Sequence, residues 1–341
     1  MKSQNRGSKM TVSLCVVAYN EEEYLPDLLK DLVSQTFPKE LTEIVLVDGL
    51  STDHTKDLML EFKDYQSGWL GIKVLDNPKR IQAAGWNIAI QEASGDVIIR
   101  IDAHTQIPVE FVEKNMKLQS EGEFITGGLR QCKIKNPSVW RKMLLEVENS
   151  LFGSSVNKTR RSQKKNYVKT MFHAAYRREV FDRVGLFNEN LLRTEDNEIH
   201  YRIRSADYKL CYDPNIISFQ YARSTLKNMI KQKYANGFWI GITARYNFRI
   251  ISVYHVIPFL FLLGILGSTF LLTLGYWQPL TLIGASYLFF VVLEMGKSLI
   301  SKRTGVLTIL FPLIFLVLHL AYGIGTLIGL LKAQGIIREF E

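Results

Sequence analysis

Two long tracts near the C-terminus carry almost no charge, and they constrain everything else this chain can become. Between Pro258 and Gly296 the only charged residue is Glu294, and between Thr304 and Leu331 there is none. Within them, residues 258–274, 279–299 and 305–331 are each long enough to cross a hydrocarbon layer of about 30 Å as a helix. Helices buried in a soluble core rarely run so far without a charge, so residues 251–341 are expected to form a membrane region of about three helices. Lys297, Lys302 and Arg303 lie between the second and third stretches, whereas 275–278 is uncharged. The positive-inside rule then places the basic loop in the cytosol and the uncharged turn outside. Residues 1–10 are polar, with no apolar run before Val12. No cleaved secretory signal is therefore expected, and the domain that follows is expected on the cytosolic side of a cell (inner) membrane as part of a multi-pass protein.

The rest of the chain has a different texture. Short apolar runs at 12–17, 44–47, 72–75 and 97–101 read as strands, and helical spacing fills 22–34, 52–62 and 81–93. Alternation of this kind predicts an α/β domain whose parallel sheet is covered on both faces, with ligands at the carboxyl ends of the strands. From about Gly122 the pattern breaks into mixed pieces. Residues 137–152 read as an amphipathic helix, and 154–169 as a basic loop holding Lys158, Arg160, Arg161, Lys164, Lys165 and Lys169. Residues 223–250 interleave Lys227, Lys231, Lys233, Arg245 and Arg249 with Tyr234, Phe238, Trp239 and Tyr246, the composition of a helix lying in the membrane interface. The expected organisation is thus a polar tail over 1–10, a catalytic domain over 11–222, an interfacial helix over 223–250 and the membrane region.

Cys15, Cys132 and Cys211 follow no metal or disulfide spacing and read as small apolar fillers in a reducing compartment. The net charge of +9 could suit nucleic acid. Beside membrane spans, anionic lipid or an anionic substrate is the expected partner, and no nucleic acid is expected.

Chemistry is expected at the strand ends. The first stops at Ala18, Tyr19 and Asn20 before Glu21, bringing backbone groups and a ring to the edge. The second ends at Asp48 beside a glycine turn, with Ser51 available to cap the next helix. Lys79 and Arg80 open the third helix, where the dipole already favours anions. The fourth strand delivers Asp102 and His104, which point the same way because one residue separates them. A ring platform, a lone acid, a cationic site and a two-ligand metal site together suit a nucleotide carrying a diphosphate.

These segments resemble family 2 glycosyltransferases of the inverting, GT-A type, the Rossmann-like nucleotide-diphospho-sugar transferases. The membrane-anchored succinoglycan-type exopolysaccharide glucosyltransferases are the nearest group. "VVAYNEE", "VDGLSTD", "RIDAHT" and "FHAAYRREVFDRVGLFNENLLRTEDNEIHYRIR" occur in that family's order, and the resemblance covers roughly residues 11–250. It implies that Ala18, Tyr19, Asn20 and Glu21 border a nucleoside and that Asp48 accepts from the uracil N3–H of a UDP-sugar. It also implies that Asp102 and His104 stand where the family carries an Asp-x-Asp metal pair. With histidine as the second member, Mn2+ is favoured over Mg2+. The family's usual Ala-Arg-Asn is Gly85-Trp86-Asn87 here, which makes Arg80 the candidate for the missing cation.

Thr194 can cap a helix beginning at Glu195, with Asp196 in its first turn. An inverting transfer needs a carboxylate to take the acceptor hydroxyl's proton, and the resemblance assigns that role to Asp196, with Glu195 positioning it. Simple capping and dipole compensation is the plain alternative. His173 either faces the acceptor or is a satisfied structural histidine. His200 either bonds Asp196 or fills the space behind it. His319, inside the last apolar stretch, reads as bundle packing. The family's processive members carry Gln-x-x-Arg-Trp before their spans. "KQKYANGFW" lacks that spacing, which favours one sugar added per encounter to a polyprenyl-diphosphate-linked saccharide, with Trp239 among the acceptor contacts. Membrane lipids and other polysaccharide-assembly proteins are the further partners expected. Two rivals remain: transfer directly to polyprenyl phosphate, and a non-catalytic nucleotide-sugar-binding scaffold.

Overall fold

A computed structural model of the protein describes residues 10–150, 152–153, 163–223, 225–301 and 304–338. Four strands, β1 (Val12–Ala18), β2 (Thr42–Asp48), β3 (Gly71–Asp76) and β4 (Val97–Asp102), alternate with α1 (Leu25–Val33), α2 (Thr55–Tyr65) and α3 (Gln82–Glu92). They pair in parallel in the order β3-β2-β1-β4. Each inner strand is buried on both faces, which is why it reads as a continuous apolar run. Val12, Leu14 and Val16 join Ile44, Leu46, Ile99 and Ile101 beneath α1 and α2. Cys15 joins Val45, Val47 and Ile98 beneath Trp86 and Ala89 of α3. Parallel register sets Ala18 opposite Asp48, Asp48 opposite Asp76 and Val17 opposite Asp102, so the chemistry-bearing residues gather along one carboxyl edge.

Beyond β4 the elements are β5 (Thr105–Gln106), α4 (Phe111–Ser120), β6 (Ile125–Lys133), α5 (Val139–Asn149), β7 (Asn166–Val168), β8 (Ala175–Arg177), α6 (Arg178–Val184), α7 (Glu195–Ser205) and β9 (Leu210–Tyr221). They extend the sheet antiparallel in the order β4-β8-β6-β9-β5, with β7 on the flank of β9. The sequence gives weak signals for these strands. β8 has three residues, and β6 carries Gly127 and Gly128, where a Cβ at 128 would run into the carbonyls of Asp213 and Ile216. Of the expected basic loop, residues 154–162 lie outside the described residues.

The chain divides into two compact units. One holds residues up to 131 together with 163–220 of those described, and the other holds 132–153 and 221–338. The first unit is therefore discontinuous, unlike the unbroken 11–222 expected. The second contains α5, α8 (Leu226–Tyr246), α9 (Val253–Thr273), α10 (Gln278–Ser301) and α11 (Phe311–Arg338). Three helical stretches, Val253–Thr273, Gln278–Ile300 and Gly305–Ile336, are long and apolar enough to cross a membrane.

α8 falls within the segment 223–250 expected as an interfacial helix. It runs parallel to α11, with the Gly237 and Gly241 backbone against Tyr322 and Thr326, and Gly325 and Gly329 of α11 against Tyr234 and Phe238. Glycines four apart on both helices let the backbones meet with no side chain between them. Lys233 of α8 is buried and paired with Glu148 of α5 at 2.9 Å. His319 Nε2–H donates to the Phe152 carbonyl at 2.8 Å, and its ring stands edge-on to Phe152, a packing role.

Candidate active site

At the carboxyl edge of β1–β4 lies a cleft of about 170 Å³, bordered by Ala18, Tyr19, Glu21, Arg80, Asp102 and His104. Backbone strain collects around it. Asn20, Leu50, Arg80 and His173 all have positive φ, at 55°, 57°, 57° and 46°, a conformation non-glycine residues hold only when their surroundings enforce it. Asn20 does not border the cleft. Its Oδ1 accepts from Thr52 N–H at 2.8 Å and its own N–H donates to Ser51 Oγ at 3.0 Å, tying the end of β1 to the loop after β2. Ser51 is thereby used in that tie rather than as a helix cap, and α2 begins only at Thr55. Asp48 is fully buried, and its carboxylate accepts from Ser51 N–H at 3.1 and 3.3 Å, closing the turn at Gly49.

Asp102 and His104 do converge. Asp102 Oδ2 and His104 Nε2 both face one atom, Gln220 Nε2 of β9, at 3.5 and 3.0 Å. Glu21 Oε1 accepts from His104 Nδ1–H at 3.0 Å, which turns Nε2 toward the Gln220 amide as an acceptor. Gln220 Oε1 accepts from Arg130 Nη1–H at 2.5 Å, which fixes the amide with its N–H groups toward the carboxylate and the imidazole. Amide protons between two lone pairs mark a place that welcomes positive charge. Burial works to raise the Asp102 carboxyl, but the hydrogen bond and charge of His173, with His104 and Arg100 nearby, hold it well below the usual carboxylate range. Among the described residues no group of three or more His, Cys, Asp or Glu side chains is arranged for a metal. The side chains of Asp102 and His104 are of types that could hold a divalent cation between them.

Asp196 stands in the first turn of α7, with Thr194 at the N-cap position but making no side-chain cap bond. Its Oδ1 accepts from Arg100 Nη1–H at 2.5 Å. Arg100 comes from the middle of β4, two residues before Asp102 and on the same strand face. Glu195 is buried, and its Oε2 has no hydrogen-bond partner.

The two histidines expected near an acceptor are both buried. His200 is 0% exposed and pairs through Nε2 with the Tyr176 hydroxyl at 2.8 Å, not with Asp196. Burial pulls it down to about 4, so it is neutral. His173 is held by Thr105 Oγ1 at 3.1 Å, Ser218 Oγ at 2.9 Å and Asp102 Oδ2 at 3.3 Å. It supports Asp102 and does not face solvent. Lys79 pairs with Glu189 at 2.5 Å and precedes α3, which starts at Gln82, so Arg80 is the cation left at the cleft. Trp239 lies half-buried on α8 in the second unit, edge-on to Phe238.

Reasoning from the sequence missed three residues. Arg100 had a signal: a charge in the middle of a strand buried on both faces demands a partner. Asn77, 1% exposed at the cleft with Oδ1 unpartnered, and Gln220, on the far strand β9, had none.

Known proteins match this chain in sequence and in fold. The chain is 26% identical over 330 residues to the dolichyl N-acetyl-alpha-D-glucosaminyl phosphate 3-beta-D-2,3-diacetamido-2,3-dideoxy-beta-D-glucuronosyltransferase of Methanococcus voltae, covering 95% of this chain and 98% of that one. It is 29% identical over 232 residues to the succinoglycan biosynthesis protein ExoA of Rhizobium meliloti, covering 67% and 68%. The mannosyltransferase PcManGT from Pyrobaculum calidifontis, solved with GDP-Man and Mn2+, superposes with a TM-score of 0.57 at 17% identity over 95% of this chain and 88% of that one, so the GT-A-like α/β sheet is a shared fold. The profile of glycosyl transferase family 2 matches residues 13–185. With half the chain inside that match, the protein is a glycosyltransferase and belongs to glycosyl transferase family 2.

Proposed function

We propose that the protein is a membrane-bound inverting transferase that moves a sugar, glucose as the first choice, from a UDP-sugar to a saccharide carried on a polyprenyl phosphate or diphosphate. Exopolysaccharide or capsule assembly on the cytosolic side of the cell membrane is the proposed setting. The observation that carries this reading is the convergence of Asp102 and His104 on one point, with Asp196 tied by Arg100 to the same strand. The name of the Methanococcus voltae relative, with its dolichyl-linked acceptor, and that of the succinoglycan protein support a lipid-linked acceptor and a polysaccharide product.

The nucleoside is proposed to lie against Ala18 and Tyr19. Asn77 Oδ1, a buried acceptor without a partner, takes the uracil N3–H, since the Asp48 carboxylate is committed to Ser51. Arg80 faces the diphosphate. Asp102 and His104 would hold a divalent cation, Mn2+ before Mg2+, which neutralises the departing diphosphate. Asp196 takes the acceptor hydroxyl's proton as that oxygen attacks the anomeric carbon from the side opposite the leaving group. Glu195 shapes the environment of Asp196. Trp239 is proposed to lie against the lipid of the acceptor. His173 and His200 are left out of acceptor binding because they are buried.

The test is turnover with a panel of UDP-sugars on lipid-linked saccharide and on polyprenyl phosphate, with and without Mn2+. On the saccharide acceptor, Asp196→Asn should lower the rate by about 10²–10⁴-fold. Polyprenyl phosphate is already ionised and needs no base, so full activity of that variant on it alone identifies the first rival. Donor binding without product in the wild type identifies a scaffold.

A further inference from the structure

Arg100 has no chemical role in the scheme above beyond its tie to Asp196, yet it is firmly built into the site. The residue is 5% exposed, and its guanidinium lies over the rings of Trp86 and Phe187, with centroids at 4.4 and 4.5 Å. α3 brings Trp86 there because Gly85 rests on β1 so closely that a Cβ would stand 2.5 Å from Val17 Cγ1. Two rings fix the plane of the fork, and its Nη1 meets one oxygen of Asp196, whose side chain is 25% exposed. One carboxylate oxygen is therefore held from inside the protein while the residue still reaches solvent.

We propose that Arg100 is a positioning residue for the transfer: by holding Oδ1 of Asp196 it aims Oδ2 at the acceptor hydroxyl. This rests on the reading of Asp196 as the base. In the step, the acceptor O–H proton passes to Asp196 Oδ2, the hydroxyl oxygen bonds to the anomeric carbon, and the bond from that carbon to the diphosphate oxygen breaks. The environment of Glu195 agrees. Arg100 contacts Asp196 and not Glu195, while burial first and the Asp196 charge second push Glu195 up to about 8.

A double-mutant cycle on the full-length protein in detergent tests this, using Arg100→Met, Arg100→Lys and Asp196→Asn alone and combined. The readings are kcat, donor KM, UDP affinity and melting temperature. Arg100→Met should cut kcat about 10²-fold or more while donor KM and UDP affinity stay near wild type. Methylguanidinium added to that variant should restore part of kcat. In the Asp196→Asn background Arg100→Met should cost nothing further, because its effect runs through the missing carboxylate. An equal loss in both backgrounds, or a rise in donor KM that accounts for the loss, overturns the proposal and makes Arg100 structural. If Arg100→Met does not fold, Arg100→Lys carries the same cycle, since lysine keeps the charge but not the flat stacked fork. An Asp196→Asn variant with wild-type kcat overturns the base assignment instead, and that result is read before any Arg100 variant enters.

Discussion

Glu195 and Asp196 are adjacent in the chain and opposite in environment. Asp196 has a guanidinium on one oxygen, while Glu195 is buried with Oε2 facing nothing polar. The folded protein thus holds a proton on Glu195 up to about pH 8, whereas the unfolded chain releases it near 4.5. Between those values the native state binds more protons than the unfolded state, so this group's contribution to stability falls as pH rises. Glu195→Gln, which cannot ionise, should remove that slope. Melting temperatures of wild type and variant should run together near pH 5 and separate by pH 8, with the variant higher. Parallel curves across that range would place the proton elsewhere. At this scale the sequence announced the identities of the acids but not their roles. Asp48, Asp102, Glu195 and Asp196 all end a strand or open a helix, and only their neighbours in space decide which closes a turn, which accepts from histidine, which is buried without a partner on one oxygen and which meets a guanidinium.

Among the elements, β1 to β4 were legible as short apolar runs, with β1, β2 and β4 buried on nearly every residue, a pattern that survives in a single sequence. The antiparallel strands β6, β8 and β9 were not, since β9 finds a partner as far back as Thr105, opposite Gln220, and their burial alternates irregularly. α8 is the instructive case. Its basic and aromatic residues pointed to an interface, but Gly237 and Gly241 were the features that mattered, because they admit the α11 backbone. Gly237→Leu should force the two helices apart and cost about 1–3 kcal/mol or more, as overpacking does, read as a lower unfolding midpoint in detergent. Gly284→Leu on α10, where nothing lies within 4 Å of the added atom, is the matched control and should leave the midpoint unchanged.

The whole molecule joins a sheet domain with a polar edge to a unit whose apolar side chains face outward. Leu260, Phe270, Leu282, Phe289 and Ile309 are all exposed, far more contiguous apolar surface than water tolerates. The protein should therefore stay in the membrane pellet through an alkaline carbonate wash and enter solution only with detergent. Release by carbonate alone would show that these helices lie on the bilayer and do not cross it.

Sequence by itself determined the class of the molecule: a parallel α/β core with polar residues gathered at its carboxyl edge, and apolar helices later in the chain. These follow from burial and charge, which are properties of residue types and their spacing. Tertiary structure alone decided the working arrangement: which acid turns inward, that Gln220 from the last strand faces Asp102 and His104, that Arg100 reaches Asp196 from ninety-six residues away, and that α8 belongs to α11. Hydrogen bonds and ion pairs are set by angstrom-scale approach between distant segments, and no local pattern in a chain records that.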